Sequence, residues 1–134
     1  MKKYHNFSSN LKVLSKAFRE DLDNEFIISG IIDKFFIQFE LGWKLFKEVL
    51  RYEGISMANT GSPREIIKAM YRCCDFLDEE IWLNMLKSRN DMTHIYDGEQ
   101  ARDMVNTIIK VYIPEFQKIE KHLIQRYSEE LNNF

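Results

Sequence analysis

At 134 residues the chain has room for one domain with a substantial core, and its hydrophobic fraction of 45% is enough to fill that core. The formal net charge of −2 at pH 7 argues against a protein that binds nucleic acid through a broad basic surface, because such affinity comes from many lysines and arginines. We therefore expect one globular domain over residues 1–134, in which any contact with RNA is local.

The cysteines and the hydropathy pattern indicate the compartment. Cys73 and Cys74 are adjacent, which is not the spacing of a zinc site, and we expect them to be reduced, semi-buried bystanders. Segment 4–10 is too polar for the apolar region of a signal peptide, and no segment reaches the roughly 20 uncharged apolar residues of a membrane helix. We expect a soluble, cytoplasmic protein that uses no membrane, metal or cofactor.

Glycine and proline number five and two, so the elements between them should be long helices with a 3.6-residue period. Ser8 or Ser9 is the predicted N-cap of the first helix, because a hydroxyl can accept from a free backbone N–H of the first turn. The apolar stripe of this helix should consist of Leu11, Leu14, Phe18 and Leu22.

The second predicted helix runs from about Glu25 to Glu53 and ends at Gly54, since glycine favours the left-handed conformation that follows a helix. Its apolar positions are too many for one face, which predicts burial on more than one side at the centre of a bundle. Gly42 is costly inside a helix and indicates that another helix passes close by. The apolar positions are Ile28, Ile31, Ile32, Phe35, Phe39, Leu41, Leu45, Phe46 and Val49.

Two further helices have clear starts. After a loop over 55–61, Ser62-Pro63-Arg64-Glu65 combines a capping box with proline at the first helical position, and this third helix should fade near Asp75. Asp78-Glu79-Glu80 places carboxylates at the positive end of the dipole of a fourth helix.

A fifth helix is predicted from after Gly98 to near Tyr127, and Pro114 should kink it because proline lacks a backbone donor. The charge run 115–121 is interpreted as an exposed face. The buried row should be Val105, Ile109, Tyr112, Phe116, Ile119 and Leu123. The predicted fold class is all-α, an antiparallel up-and-down helical bundle of about five helices.

The chemically useful side chains are concentrated on the predicted fourth helix. At helical spacing an arginine falls in an otherwise apolar row, while Asn90 and His94 lie together on the neighbouring face. Arginine, asparagine and histidine thus converge near the helix C-terminus, with a tyrosine just beyond. The row consists of Trp82, Met85, Arg89, Met92 and Tyr96.

This set suits cleavage of an RNA phosphodiester without a metal. The imidazole of His94 can move a proton, the guanidinium of Arg89 can stabilise developing charge, and RNA supplies its own 2′-hydroxyl as nucleophile. One histidine per chain is a modest catalyst, so a symmetric dimer would bring two sets to one groove. The structural alternative is that Arg89 and His94 only complement the helix dipole. His5 and His122 stand among polar residues and are interpreted as solvated.

Three blocks of the sequence resemble a known family. Phe39-Glu40-Leu41-Gly42-Trp43-Lys44, Ser62-Pro63-Arg64-Glu65 and Arg89-Asn90-x-x-x-His94-x-Tyr96 resemble, in that order, the HEPN proteins first described as nucleotidyltransferase substrate-binding proteins. The resemblance covers nearly the whole chain. It implies a homodimeric helical bundle that acts with a nucleotidyltransferase as a toxin-antitoxin module, the toxin being a metal-independent RNA endonuclease. By this resemblance Arg89 and His94 are catalytic, Asn90 supports them, and Tyr96 is adenylylated by the partner.

Three hypotheses follow for the function. The first is a toxin-type ribonuclease that is neutralised by its nucleotidyltransferase through Tyr96. The second is a non-catalytic subunit that presents a nucleotide or another substrate to that transferase, and the third is a purely structural dimer partner. The acidic net charge and Asp91, a carboxylate beside a site for phosphate, favour the last two. The set of Arg89, Asn90, His94 and Tyr96 favours the first.

Overall fold

The computed structural model describes residues 2–92 and 98–134. Every regular element in those two ranges is helical, which confirms the all-α class. The α-helices are α1 (Lys2–Leu14), α2 (Glu25–Tyr52), α3 (Met57–Thr60), α4 (Pro63–Cys73), α5 (Glu79–Asn90), α6 (Gly98–Thr107) and α7 (Ile113–Tyr127), with 3₁₀ turns at Ala17–Arg19 and Leu131–Asn133 and a π-helical turn at Ile108–Tyr112. None of these described helices has both the length and the apolar content to cross a bilayer.

The long helices alternate in direction, as an up-and-down bundle requires. In each packed pair, contacts advance along one helix as they recede along the other, so α2 is antiparallel to α1 and to α5, and α7 is antiparallel to α5. The pairs that establish these directions are Lys3 with Glu48 and Asn10 with Gln38, Trp82 with Phe46 and Arg89 with Glu40, and Trp82 with Glu115 and Ser88 with Tyr112.

Helix α2 is the central element, as predicted. Asn24 caps its first turn by accepting from the backbone N–H groups of Phe26 and Ile27, and Gly54 follows its end with φ +75°. Opposite sides of the helix pack on different neighbours: the ring of Phe35 stacks on Tyr112 at 5.0 Å. All the predicted apolar positions are buried except Leu41, which is half-buried. The buried side chains form one contiguous core.

The predicted start of the first helix is wrong. Helix α1 begins at Lys2, and Ser8 and Ser9 lie inside it. The carbonyl oxygen of Phe134 accepts from the backbone N–H groups of Lys3 and Tyr4 at 2.9 and 3.2 Å, so the first turn has an acceptor without any serine cap. The helix also ends earlier than expected, at Leu14, and the buried row is Phe7, Leu11 and Leu14, whereas Phe18 and Leu22 are exposed.

Two connections differ from the expectation. The short helix α3 lies within the predicted loop 55–61. At Pro114 the predicted disturbance takes the form of the π-helical turn before α7, in which the backbone N–H of Ile113 donates to the carbonyl oxygen of Ile108. This longer step accommodates the donor that proline lacks, since a π turn is one of the ways a helix absorbs a broken hydrogen-bond ladder.

Candidate functional site

Helix α5 is held firmly at its start, and this sets the direction of the residues at its end. Asp78 caps it by accepting from the backbone N–H of Ile81 at 3.2 Å. One carboxylate oxygen of Glu115 accepts from the backbone N–H of Asp78 at 2.9 Å and from the indole N–H of Trp82 at 3.1 Å. The start of α5 is therefore tied to α7 by a buried carboxylate.

The indole of Trp82 also sets how closely α5 approaches α2. A Cβ atom built on Gly42 would lie 2.5 Å from Cη2 of Trp82, a distance that real Cβ atoms do not show. Trp82 is fully buried, so its ring has little freedom to move away. This confirms the prediction that another helix passes close to Gly42.

At the other end of α5, the guanidinium of Arg89 forms an ion pair with Glu40 of α2. Nη2 of Arg89 lies 2.9 Å from Oε1 of Glu40, and the two side chains are 34% and 30% exposed. The second carboxylate oxygen of Glu40 accepts from the indole N–H of Trp43 at 2.9 Å. Glu40 is thus held by α2 itself and orients Arg89, while Nη1 of Arg89 reaches Oδ1 of Asn90 at 3.4 Å.

Beside this ion pair, a groove of about 690 Å³ separates the start of α4 from the end of α5. Its size is that of a small-molecule or nucleotide site. The groove is lined by Ser62, Pro63 and Arg64 from the start of α4 and by Leu83, Asn84, Leu86, Lys87, Arg89, Asn90 and Asp91 from α5 and its C-cap. The three sequence blocks therefore meet in space, because Glu40 of the first block contacts Arg89 of the third and the second block forms the opposite wall.

The start of α4 is the predicted capping box. The backbone N–H of Glu65 donates to Oγ of Ser62 at 3.3 Å, and the backbone N–H of Ser62 donates to Oε1 of Glu65 at 2.9 Å. Pro63 occupies the first turn, where its missing donor costs nothing. These contacts fix the wall of the groove and leave the side chain of Arg64 exposed.

The structure brings two of the four predicted site residues together and does not describe the other two. Arg89 and Asn90 lie at the groove, whereas the predictions for His94 and Tyr96 fall outside the described residues. Helix α5 ends at Asn90, so the expectation that the helical row continues to Met92 is wrong. The backbone N–H of Asp91 is shared between the carbonyl oxygens of Lys87 and Ser88, which is common where an α-helix stops.

Two acidic residues of functional interest were missed by the sequence interpretation. Glu40 was quoted as part of a block without a role, although an acid in the apolar stretch of α2 was a signal for a buried cationic partner. Glu115 was assigned to an exposed charged face, yet it is 3% exposed and paired with Lys118 at 2.7 Å. Its carboxylate is buried because it satisfies the N-terminal end of α5.

The remaining ionisable groups offer little further chemistry near the groove. His122 is not solvated as expected, because its ring stacks on Phe76 at 4.8 Å. Burial raises the pKa of the Tyr112 hydroxyl, an effect partly offset by a hydrogen bond with Ser88. Across ranges 2–92 and 98–134, no group of three or more histidine, cysteine, aspartate or glutamate side chains is placed to hold a metal ion.

A comparison with protein families gives one match. The family model described as "Nucleotidyltransferase substrate binding protein like" matches residues 2–125 of the chain. No curated protein matches it.

Proposed function

The chain belongs to the nucleotidyltransferase substrate binding protein like family, and from this premise we propose that it is the toxin of a toxin-antitoxin pair, a metal-independent RNA endonuclease of the HEPN type. Its antitoxin is the cognate nucleotidyltransferase. Residues 1–134 act as one helical-bundle domain in the cytoplasm, and no cofactor takes part.

The observation that carries the proposal is the position of Arg89. Its guanidinium is oriented by Glu40 at 2.9 Å and lies on the wall of an open groove, next to the amide of Asn90. A half-exposed, preoriented arginine suits stabilisation of a phosphate that gains charge in a transition state. His94 follows five residues later in the sequence, close enough along the chain to serve the same site.

In the proposed reaction, the 2′-hydroxyl of the RNA attacks the adjacent phosphorus and the bond to the 5′-oxygen of the next nucleotide breaks. The imidazole of His94 moves one of the protons, as general base towards the 2′-hydroxyl or as general acid towards the leaving oxygen. Arg89 binds the non-bridging oxygens, and Asn90 supports it. The products are a 2′,3′-cyclic phosphate and a 5′-hydroxyl.

A homodimer would supply a second histidine to the groove. The outer side of α2 has a shallow apolar depression of about 260 Å³ lined by Phe36, Ile37, Glu40, Leu41 and Lys44. Because Glu40 belongs both to this depression and to the ion pair with Arg89, a second copy seated there would lie directly beside the site. We therefore assign this surface to the partner copy.

Control by the transferase follows from the chemistry of a tyrosine hydroxyl. Tyr96 would attack the α-phosphorus of ATP, forming a phosphodiester and releasing pyrophosphate. The added nucleotide brings negative charge and bulk two residues from His94, where the RNA phosphate has to bind. Incubation with the transferase, ATP and magnesium should therefore add nucleotide mass to the native chain, whereas Tyr96→Phe should gain none. An equal gain by Tyr96→Phe would rule this assignment out.

The ribonuclease activity is tested with purified chain, shown by mass to be unmodified, incubated in EDTA with total cellular RNA. We expect cleavage by the native chain and its loss in Arg89→Ala and in His94→Ala. The matched controls are Arg102→Ala and His5→Ala, which remove an exposed arginine and an exposed histidine remote from the groove and should leave cleavage intact. An oligonucleotide with 2′-O-methyl riboses should resist the native chain, because it lacks the nucleophile.

The alternative function is a non-catalytic subunit that binds a nucleotide or another substrate for the transferase. The description of the family and the volume of the groove favour it. It predicts that the unmodified native chain leaves RNA intact but binds a nucleotide with an affinity that is lost on Arg89→Ala. Cleavage in EDTA that depends on Arg89 and His94 decides against this alternative.

A further inference from the structure

The groove beside Arg89 has two more cations that the proposed reaction does not use. Arg64 lies on the first turn of α4 and Lys87 on α5, and both line the groove with exposed side chains. Within the described parts of the chain neither forms an ion pair, whereas Arg89 is engaged by Glu40. The carboxylate among the lining residues is that of Asp91. The groove is therefore locally basic on a chain whose net charge is −2.

The floor of the same groove is apolar. Leu83 is half-buried, Leu86 is buried, and Pro63 adds a rigid ring at the start of α4. The exposed amide of Asn84 lies among them and can donate and accept hydrogen bonds. An apolar floor with an amide and two cations at its walls suits a ligand made of flat bases and phosphates.

Neither feature depends on the residues assigned to the chemistry. Arg64 and Lys87 come from different helices, and the capping box at Ser62 and Glu65 fixes the wall that holds Arg64. The volume of about 690 Å³ exceeds what one phosphate group needs. It leaves room for the nucleotide that follows or precedes the scissile bond.

We propose that this groove is the binding track for single-stranded RNA, in which Arg64 and Lys87 bind the phosphates that flank the scissile one. The assignment rests on the proposed ribonuclease function and names the part of the substrate outside the reacting bond. Phosphate contacts of this kind carry no sequence information, so the two cations contribute affinity and register. They also account for local RNA binding by an acidic chain.

The test measures binding of a fluorescent single-stranded oligoribonucleotide by anisotropy over a range of salt concentrations. It uses the His94→Ala chain, so that the result does not depend on whether the RNA is cut. Adding Arg64→Ala and Lys87→Ala should weaken binding on the order of tenfold near 0.1 M salt and reduce the slope of log K against log salt by about 1.4, or ~0.7 for each phosphate contact on a single strand.

The matched control carries Lys12→Ala and Lys121→Ala, which remove the same charge from exposed positions on α1 and α7 that do not line the groove. It should bind RNA as the His94→Ala chain does, and thermal melts followed by circular dichroism should show all these chains folded. Equal binding by the two double variants overturns the proposal. Binding of ATP that depends on Arg64 and Lys87, with no binding of the oligonucleotide, also overturns it and favours the substrate-binding subunit.

Failure of this inference and failure of the proposed function are separable. RNA binding that depends on Arg64 and Lys87 supports the binding track even if the native chain cleaves nothing, in which case the proposed reaction fails and the track stands. Cleavage that needs Arg89 and His94, together with RNA binding that ignores Arg64 and Lys87, gives the reverse result.

Discussion

At the scale of single residues, the site depends on one carboxylate that does not react. Glu40 holds Arg89 through a half-exposed ion pair and is itself held by the indole of Trp43. Half-exposed pairs of this kind contribute little to stability, since solvent screens them and ordering the side chains costs entropy. The contribution of Glu40 should therefore appear in the orientation of Arg89 rather than in the free energy of unfolding.

We predict that Glu40→Gln changes the free energy of unfolding by less than ~1 kcal/mol while lowering the rate of RNA cleavage on the order of ten- to hundredfold, because a misplaced guanidinium stabilises the transition state poorly. Glutamine retains an acceptor for Trp43 but loses the charge. Cleavage rates and urea unfolding of the same preparations check this.

Glu48→Gln is the matched control for Glu40→Gln. Glu48 lies on the same helix and pairs with Lys3 and Arg51 at 3.1 and 2.8 Å, far from the groove. Its substitution should leave cleavage unchanged. If both variants cleave at the native rate, or both lose cleavage equally, Glu40 has no specific part in positioning Arg89.

At the scale of helices, two glycines on α2 give opposite predictions. Gly42→Ala should destabilise the chain by about 1–3 kcal/mol, because the added methyl group overlaps the buried ring of Trp82 and overpacking costs that much. Gly30→Ala meets no atom within 4 Å and should stabilise it by roughly 0.5–1 kcal/mol through helix propensity. Urea unfolding of both variants measures the difference, and an equal effect in both would show that Trp82 does not restrict Gly42.

The capping box of α4 gives a prediction about pH. Hydrogen bonds from the backbone and hydroxyl of Ser62 lower the pKa of the Glu65 carboxyl below its ordinary value. A lowered pKa in the folded chain means that the ionised carboxylate adds stability above the unfolded pKa, near 4.3, and that this contribution is lost as pH falls through the folded value.

The stability difference between the native chain and Glu65→Gln should therefore be largest near neutral pH and should shrink on acidification below about 4.3. Urea unfolding at several pH values between neutral and acid measures it. Glu129→Gln, at an exposed position outside the helix starts, should show no such trend. A difference for Glu65→Gln that stays constant with pH would contradict the assigned role.

At the scale of the whole molecule, the open question is what covers the outer side of α2. Ile37 is 50% exposed beside Glu40, which we assign to the surface that meets a second copy. Ile37→Asp should convert the dimer to a monomer in analytical ultracentrifugation and reduce RNA cleavage, because a charge at the centre of an apolar contact costs more than it does in water.

Ile124→Asp is the control for that prediction, since Ile124 is 45% exposed on α7, away from the depression on α2. It should remain dimeric and active. A dimer that survives Ile37→Asp and dissociates in Ile124→Asp would place the interface on α7 instead.

Much of the fold followed from the sequence because local signals determined it. Asn24 and Gly54 bound α2, the capping box starts α4, and Asp78 starts α5, each through contacts within a few residues of the chain. The buried row of α2 followed from spacing alone, since the surplus of apolar side chains excludes a helix with one wet face. Local reasoning failed for α1, whose first turn is satisfied by Phe134, more than a hundred residues away.

The sequence by itself determined the all-α class, the central place of α2, and Arg89 and Asn90 as candidate site residues. Only the tertiary structure decided that Glu40 orients Arg89, that Glu115 is buried under α5, and that Arg64 and Lys87 face one groove. The physical reason is that caps and helix periods are set by neighbours in sequence. Ion pairs and grooves depend on how helices pack, and spacing along one helix carries no information about the helix opposite.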